Sequence, residues 1–269
     1  ASTKAAFFDD VVSKGRRLEG CSNPTQVGSV EPYNTDARPF DGNVDETMHD
    51  AGSIVGDKYD FVGYSYEGMT SVINMSEDGK TLIATAKLNT DYYNVAEDGG
   101  KWHDLEGALK VYKLGSDGTT WELIKQFDGQ VERAMLGYAN AISADGNTIA
   151  FTDEFKSAST GYKGIVHVWR FDGVDTWTEL GSGLHYDQPQ NNDFFGRKIS
   201  MSADGDTVAI MGKLWDYRSG EVTIWKYDAD TNSWAQKGGT LNQGPSRTWI
   251  GYDISLSANG ERIILGNRA

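Results

Sequence analysis

The chain of 269 residues has one cysteine, five prolines and four histidines. A lone thiol, Cys21, can close no internal disulfide, and no base stands at a recognisable spacing from it, so it reads as a small packed residue. His49, His103, His167 and His185 fall on different stretches with no second ligand at a metal-binding spacing, which argues against a metal centre. His167 alternates with Val166 and Val168 and reads as a packed or strand-surface residue. No run of 18 apolar residues occurs, so no helical membrane span is expected. Basic residues are outnumbered: 25 Lys and Arg against 39 Asp and Glu leave a formal charge of −14. Acids spread along the chain disfavour nucleic-acid phosphates and anionic lipid as partners. No Ser/His/Asp elbow, Cys/His pair or phosphate-cradling glycine loop is present, and no catalytic residue is assigned.

What the chain has instead is a repeat. It reads Met75-Ser-Glu-Asp-Gly-Lys-Thr-Leu-Ile83, Ile142-Ser-Ala-Asp-Gly-Asn-Thr-Ile-Ala150, Met201-Ser-Ala-Asp-Gly-Asp-Thr-Val-Ala209 and Leu256-Ser-Ala-Asn-Gly-Glu-Arg-Ile-Ile264. Each copy is a strand, a Ser-x-Asp/Asn-Gly turn and a second strand. The turn glycines Gly79, Gly146, Gly205 and Gly260 are 67, 59 and 55 residues apart. After the first three come an alternating strand (Gly107-Ala-Leu-Lys-Val-Tyr112, Gly164-Ile-Val-His-Val-Trp169, Gly220-Glu-Val-Thr-Ile-Trp225) and a strand opened by Trp121, Trp177 or Trp234. Four short strands per unit, joined by Asp-Gly-type turns, define an antiparallel blade that must bury its faces against neighbours. The abundance of glycine, 32 residues, fits many tight turns.

The expected fold is therefore an all-β propeller of four-stranded antiparallel blades, with units over 62–135, 136–193, 194–248 and a partial 249–269. Residues 29–61 read as a long loop. In the segment 1–28, Asn23-Pro-Thr-Gln-Val-Gly28 has the pattern of Ser233-Trp-Ala-Gln-Lys-Gly238 and could complete the last blade. Four inner hairpins with three outer ones suggest a four-bladed ring closed by the termini, which would remove exposed sheet edges. The alternative is a fragment of a larger propeller. The apolar strand positions Ile142, Ile149, Ile199, Met201, Val208, Ile210, Val222, Ile224, Ile254, Leu256 and Ile263 form the candidate core.

Phe195-Gly-Arg-Lys-Ile-Ser-Met-Ser-Ala-Asp-Gly-Asp-Thr-Val-Ala-Ile210, with the outer strands that follow it, resembles the FG-GAP-type propeller repeat of secreted and surface proteins, related in style to integrin α-chain blades. The hairpin Trp225-Lys-Tyr-Asp-Ala-Asp-Thr-Asn-Ser-Trp234 also resembles a Kelch outer hairpin. The resemblance covers about residues 62–269 and implies a propeller outside the cytoplasm: secreted, on a cell surface or in an organelle lumen. The family's calcium loops carry alternating oxygens around the ion. Here the inner turns are too short for that, and Asp228, Asp230 and Asn232 have the alternation but sit in a tight hairpin that Asx residues favour anyway. No cofactor is expected, calcium being the one candidate.

Loops joining second to third and fourth to first strands share one face of a propeller, and binding residues concentrate on such loops. The candidate binding residues are Asp91, Tyr93, Trp102, Asp104, Tyr186, Trp215, Asp216 and Tyr217, with Asp153 and Asp193 on matching loops. An acidic, aromatic rim suits a glycan or a protein partner with a basic patch. The sequence therefore reads as a non-enzymatic binding or scaffold module; the alternative is a carbohydrate-active propeller hydrolase or lyase.

Overall fold

The computed structural model describes residues 29–31, 53–55, 73–86, 107–130, 134–153, 163–187, 193–212, 220–242 and 250–267. Among these residues the structure is all-β, with no helix. The stretch 29–61, expected as a loop, contains two short strands, β1 (Ser29–Glu31) and β2 (Ser53–Val55), which pair in parallel. Their pairing is carried by main-chain groups, which need a partner whatever the side chains are, so no alternation announces it.

Three four-stranded antiparallel blades follow. β3 (Ile73–Met75), β4 (Thr81–Ala86), β5 (Ala108–Leu114) and β6 (Trp121–Asp128) make the first. β7 (Asn140–Ile142), β8 (Thr148–Asp153), β9 (Ile165–Phe171) and β10 (Trp177–Glu179) make the second. β11 (Lys198–Met201), β12 (Thr207–Gly212), β13 (Glu221–Asp228) and β14 (Ser233–Gln236) make the third. A fourth unit has β15 (Ile250–Leu256) and β16 (Ile263–Asn267) only, so the ring is not closed among the described residues. The segment 1–28, expected to close it, lies outside them. Strand order within a blade follows chain order, and the first strands β3, β7, β11 and β15 neighbour one another from blade to blade, which makes them the inner strands.

The repeated turn explains the hairpins. In each, the serine hydroxyl donates to the Asp or Asn side chain: Ser76 to Asp78 at 2.7 Å, Ser143 to Asp145 at 2.6 Å, Ser202 to Asp204 at 2.5 Å and Ser257 to Asn259 at 2.7 Å. The same hydroxyl accepts the backbone N–H five residues on, from Thr81, Thr148, Thr207 and Arg262. The chain then reverses at a glycine with positive φ, 73° at Gly205. The pairs that close the four hairpins are equivalent: Met75 with Leu82, Ile142 with Ile149, Met201 with Val208 and Leu256 with Ile263.

The core lies between blades. One layer joins Ile83, Leu109 and Val111 of the first blade to Leu136, Ile149 and Phe151 of the second. The next joins Val166 and Val168 to Phe195, Ile199, Val208 and Ile210, and a third joins Met211 and Val222 to Leu256. Second strands are sandwiched on both faces, so β4 and β12 are buried along their whole length and show no alternation of burial. Of the expected core, Ile149, Ile199, Val208, Ile210, Val222 and Leu256 are buried; Ile142, Met201, Ile224, Ile254 and Ile263 are half-buried, packed against the edges of the same layers.

Trp121, Trp177 and Trp234 occupy one register position, opposite Leu114, Phe171 and Tyr227. The latter two reach the preceding blade: Trp177 meets Phe127 edge-on at 6.2 Å, and the Trp234 indole N–H donates to the Leu180 carbonyl at 2.7 Å.

Candidate functional site

The end of the inner strands away from the Ser-x-Asp-Gly turns is reached through a bulky apolar residue and a glycine: Leu136-Gly137, Phe195-Gly196 and Ile250-Gly251. These glycines are locked to the preceding blade. Thr85 Oγ1 donates to the Gly137 carbonyl at 2.8 Å, and Thr152 Oγ1 donates to that of Gly196 at 2.5 Å. The two residues after each glycine lie at or near the start of the inner strands, and the pair differs from blade to blade: Tyr138 and Ala139, Arg197 and Lys198, Tyr252 and Asp253. A constant scaffold thus carries a different pair of side chains at this end of each blade.

Their electrostatics are coupled. Lys198 is only 15% exposed in its side chain, and its ammonium stands 3.7 Å from Asp253 Oδ1, the carboxylate at the equivalent position of the next inner strand. Burial pushes the Lys198 ammonium below the ordinary lysine range; Asp253 opposes the shift and adjacent Arg197 adds to it. Burial pushes the Tyr138 phenol up, opposed by the Arg197 guanidinium and reinforced by Tyr252. Arg197 takes its place through main-chain bonds, its N–H donating to the carbonyls of Phe194 at 3.2 Å and Met211 at 3.1 Å.

A second polar group lies on the outer strands of the second blade. His167 on β9 lies diagonally across from Glu179 on β10, whose register partner is Trp169. His167 Nδ1 and Glu179 Oε1 are 2.5 Å apart, and His167 Nε2 is 3.9 Å from Asp153 Oδ2 at the end of β8. The three side chains are half-buried, 25%, 30% and 18% exposed. A carboxylate can only accept, so Nδ1 is the nitrogen that donates to Glu179, and Nε2 faces Asp153. The sequence placed His167 correctly on a strand but could not show its neighbours, because Glu179 lies 12 residues on in another strand.

Of the two residues named on matching loops, Asp153 ends β8 and Asp193 is buried. Of the eight candidate binding residues named from the sequence, Tyr186 is described. It is half-buried with its ring edge-on to Phe195 at 4.7 Å, against the layer between the second and third blades. A side chain at Gly212 would strike its hydroxyl, with a Cβ only 2.8 Å away. Asp91, Tyr93, Trp102, Asp104, Trp215, Asp216 and Tyr217 lie outside the described residues. In the hairpin considered for calcium, Asp228 Oδ1 accepts the Asp230 N–H at 2.9 Å, and Asn232 Oδ1 accepts from Tyr227 at 2.7 Å and from the Gly181 N–H at 3.0 Å. Those oxygens hold the turn and the neighbouring blade together. Among the described residues no group of three or more His, Cys, Asp and Glu has metal-holding geometry. Arg197, Lys198, Tyr252 and Asp253 were not singled out from the sequence. The signal was present: they follow the blade-entry glycine, at repeat positions where the residues disagree in charge.

The fold defines a β-propeller. No protein-family model and no curated protein matches this sequence. Solved structures similar to it include a protein from Lactobacillus plantarum, with 18% identity and a TM-score of 0.44 over 73% of this chain and 50% of the other. The periplasmic gluconolactonase PpgL of Pseudomonas aeruginosa shares 15% identity with a TM-score of 0.44 over 72% and 49%. TolB from Acinetobacter baumannii shares 16% with a TM-score of 0.38 over 74% and 38%. The chain spans half or less of the length of each. The expectation of a non-enzymatic binding or scaffold module is corrected here, since the lactonase among these is an enzyme. The activity of this chain has to be argued from its own side chains. No helix among the described residues is long and apolar enough to cross a membrane.

Proposed function

We propose that this chain contributes blades to a carbohydrate-active propeller hydrolase working outside the cytoplasm, on the lactone or ester of a sugar acid. The observation that supports it is the His167–Glu179 pair, 2.5 Å from Nδ1 to Oε1. A carboxylate that fixes the imidazole tautomer leaves Nε2 to take a proton from water, the work of a general base. The water oxygen adds to the acyl carbon, the bond to the ring or alcohol oxygen breaks, and that oxygen leaves with the proton returned by His167. An acyl bond suits this pair better than an acetal, whose hydrolysis calls for two carboxyl groups in acid and base or nucleophile roles. Asp153 and Glu179 also offer acceptors to sugar hydroxyls. The Phe195-Gly196 entry, the Ser-x-Asp-Gly turns and the tryptophan-led outer strands favour blades of the FG-GAP or Kelch kind.

The test is the release of acid from D-glucono-1,5-lactone, followed by pH-stat at neutral pH against the spontaneous rate. Acceleration by the protein, lost in both His167→Gln and Glu179→Gln, supports the reading. No acceleration, or full activity in His167→Gln, rejects it. Turnover of nitrophenyl glycosides without lactone hydrolysis would move the chemistry to the acetal bond.

A further inference from the structure

The mouth of the inner strands stands apart from the hydrolytic pair and carries its own inference. In a chain of net charge −14, two successive cations, Arg197 and Lys198, sit half-buried at the start of β11 beside the buried Tyr138. The counter-charge of the Lys198 ammonium is a loose one. Its separation from Asp253 is 3.7 Å, well beyond the roughly 2.7–2.9 Å of a charge-assisted hydrogen bond. The Asp253 side chain is 82% exposed, so water screens it. A cation taken out of water without a close partner is costly, and a second cation beside it adds repulsion. An incoming anion would relieve both. The phenol of Tyr138 stands within electrostatic reach of the Arg197 guanidinium and of Tyr252, and a phenol can donate to an anion.

We infer that Arg197 and Lys198, with Tyr138 and Tyr252, form a binding site for a small carboxylate anion at the mouth of the inner strands. Asp253 is the tethered stand-in, an internal carboxylate that partly fills the place the ligand takes. Arg197 supplies the planar fork that matches a carboxylate, and Lys198 the compact point charge. Contributions from three blades at two adjacent repeat positions make the site unavailable to a single hairpin. The acidic surroundings repel anions at long range, so selectivity comes from contact at this mouth, and added salt weakens the attraction.

Titration calorimetry with D-gluconate, and with D-glucose as the neutral control, tests the site. Wild-type protein should bind gluconate at millimolar concentration or below and leave glucose unbound. Arg197→Gln and Lys198→Met should each weaken gluconate by about tenfold or more, and Asp253→Asn should tighten it by removing the competing carboxylate. His167→Gln should bind gluconate like wild type, so this site and the hydrolytic reading fail separately. Should the cation variants not fold, amine labelling of the wild-type protein decides: gluconate, and not glucose, should protect Lys198. Equal binding of glucose and gluconate, unchanged affinity in both cation variants, or labelling of Lys198 unaffected by gluconate would overturn the inference.

Discussion

The backbone N–H of Ala203 donates to the carbonyl of Ala258 at 2.8 Å, joining the turn of the third blade to that of the fourth. Ala144 makes the same bond to Ala203 at 3.0 Å, and Glu77 makes it to Ala144 at 2.9 Å. All four are the second residue of their Ser-x-Asp/Asn-Gly turns, so one motif both reverses the chain and ties each blade to the next. This end of the molecule is committed to holding the propeller together.

Gly205 tests that statement. Its φ is 73°, and a Cβ there would lie 2.5 Å from Thr148 Cβ on the preceding blade. Gly205→Ala should lose about 1–2 kcal/mol from the left-handed backbone and more from the clash with Thr148. Gly173, with φ of 86° and open space around it, should lose the backbone part alone as Gly173→Ala. Urea midpoints should rank wild type, Gly173→Ala, Gly205→Ala. Equal midpoints for the two variants would show that the turns do not pack as described.

Ile210 is fully buried between the second and third blades. Ile210→Ala should cost about 2–5 kcal/mol by loss of transfer energy and formation of a cavity. Val174, 81% exposed at a turn, should accept Ala within about 0.5 kcal/mol. Thermal unfolding of the pair checks that β12 is packed between blades as described: equal losses for the two variants would contradict it.

Trp177 and Trp234 are equivalent in register but not in bonding. Trp234 donates its indole N–H to Leu180, whereas the buried Trp177 Nε1 finds no acceptor among the described groups and its ring packs in an aromatic cluster with Phe127 and Phe171. Trp234→Phe removes a hydrogen bond worth about 1 kcal/mol as well as ring volume, while Trp177→Phe also removes an unsatisfied donor. Denaturant titration should find Trp234→Phe the more destabilised by about 1 kcal/mol. The reverse order would contradict the bonding seen here.

Acid should loosen the turns. Burial pushes the carboxyl groups of Asp78, Asp145 and Asp204 up, but the serine hydroxyl, the backbone N–H two residues on and nearby cations outweigh it, so each lies below the ordinary aspartate range. A folded pKa below the unfolded one gives stability that is present above the unfolded value and lost as pH falls through the folded value. Stability should therefore hold down to about pH 4 and then fall. Ser202→Ala and Asp204→Asn should each shrink the acid-dependent part, which unfolding measured across that range would reveal.

The blades were legible because their grammar is local. A Ser-x-Asp-Gly turn bonds within six residues, strand alternation has a period of two, and the repeated Trp121, Trp177 and Trp234 mark the outermost strands without reference to anything distant. That the chain stacks four-stranded blades with a core between units followed from repetition alone. Other matters were not local. The pairing of His167 with Glu179 depends on how β9 and β10 register, and the approach of Lys198 to Asp253 depends on neighbouring inner strands 55 residues apart in sequence. Tyr186, read as a loop-face residue, turned out half-buried against Phe195, because the depth of a loop side chain is set by the blade it folds onto. Hydrogen-bonded turns and strand periodicity are properties of a few consecutive residues, so the sequence by itself determined the unit and its repetition. Burial, charge coupling and the company each polar side chain keeps are properties of packed neighbours from different blades, and only the tertiary structure decided those.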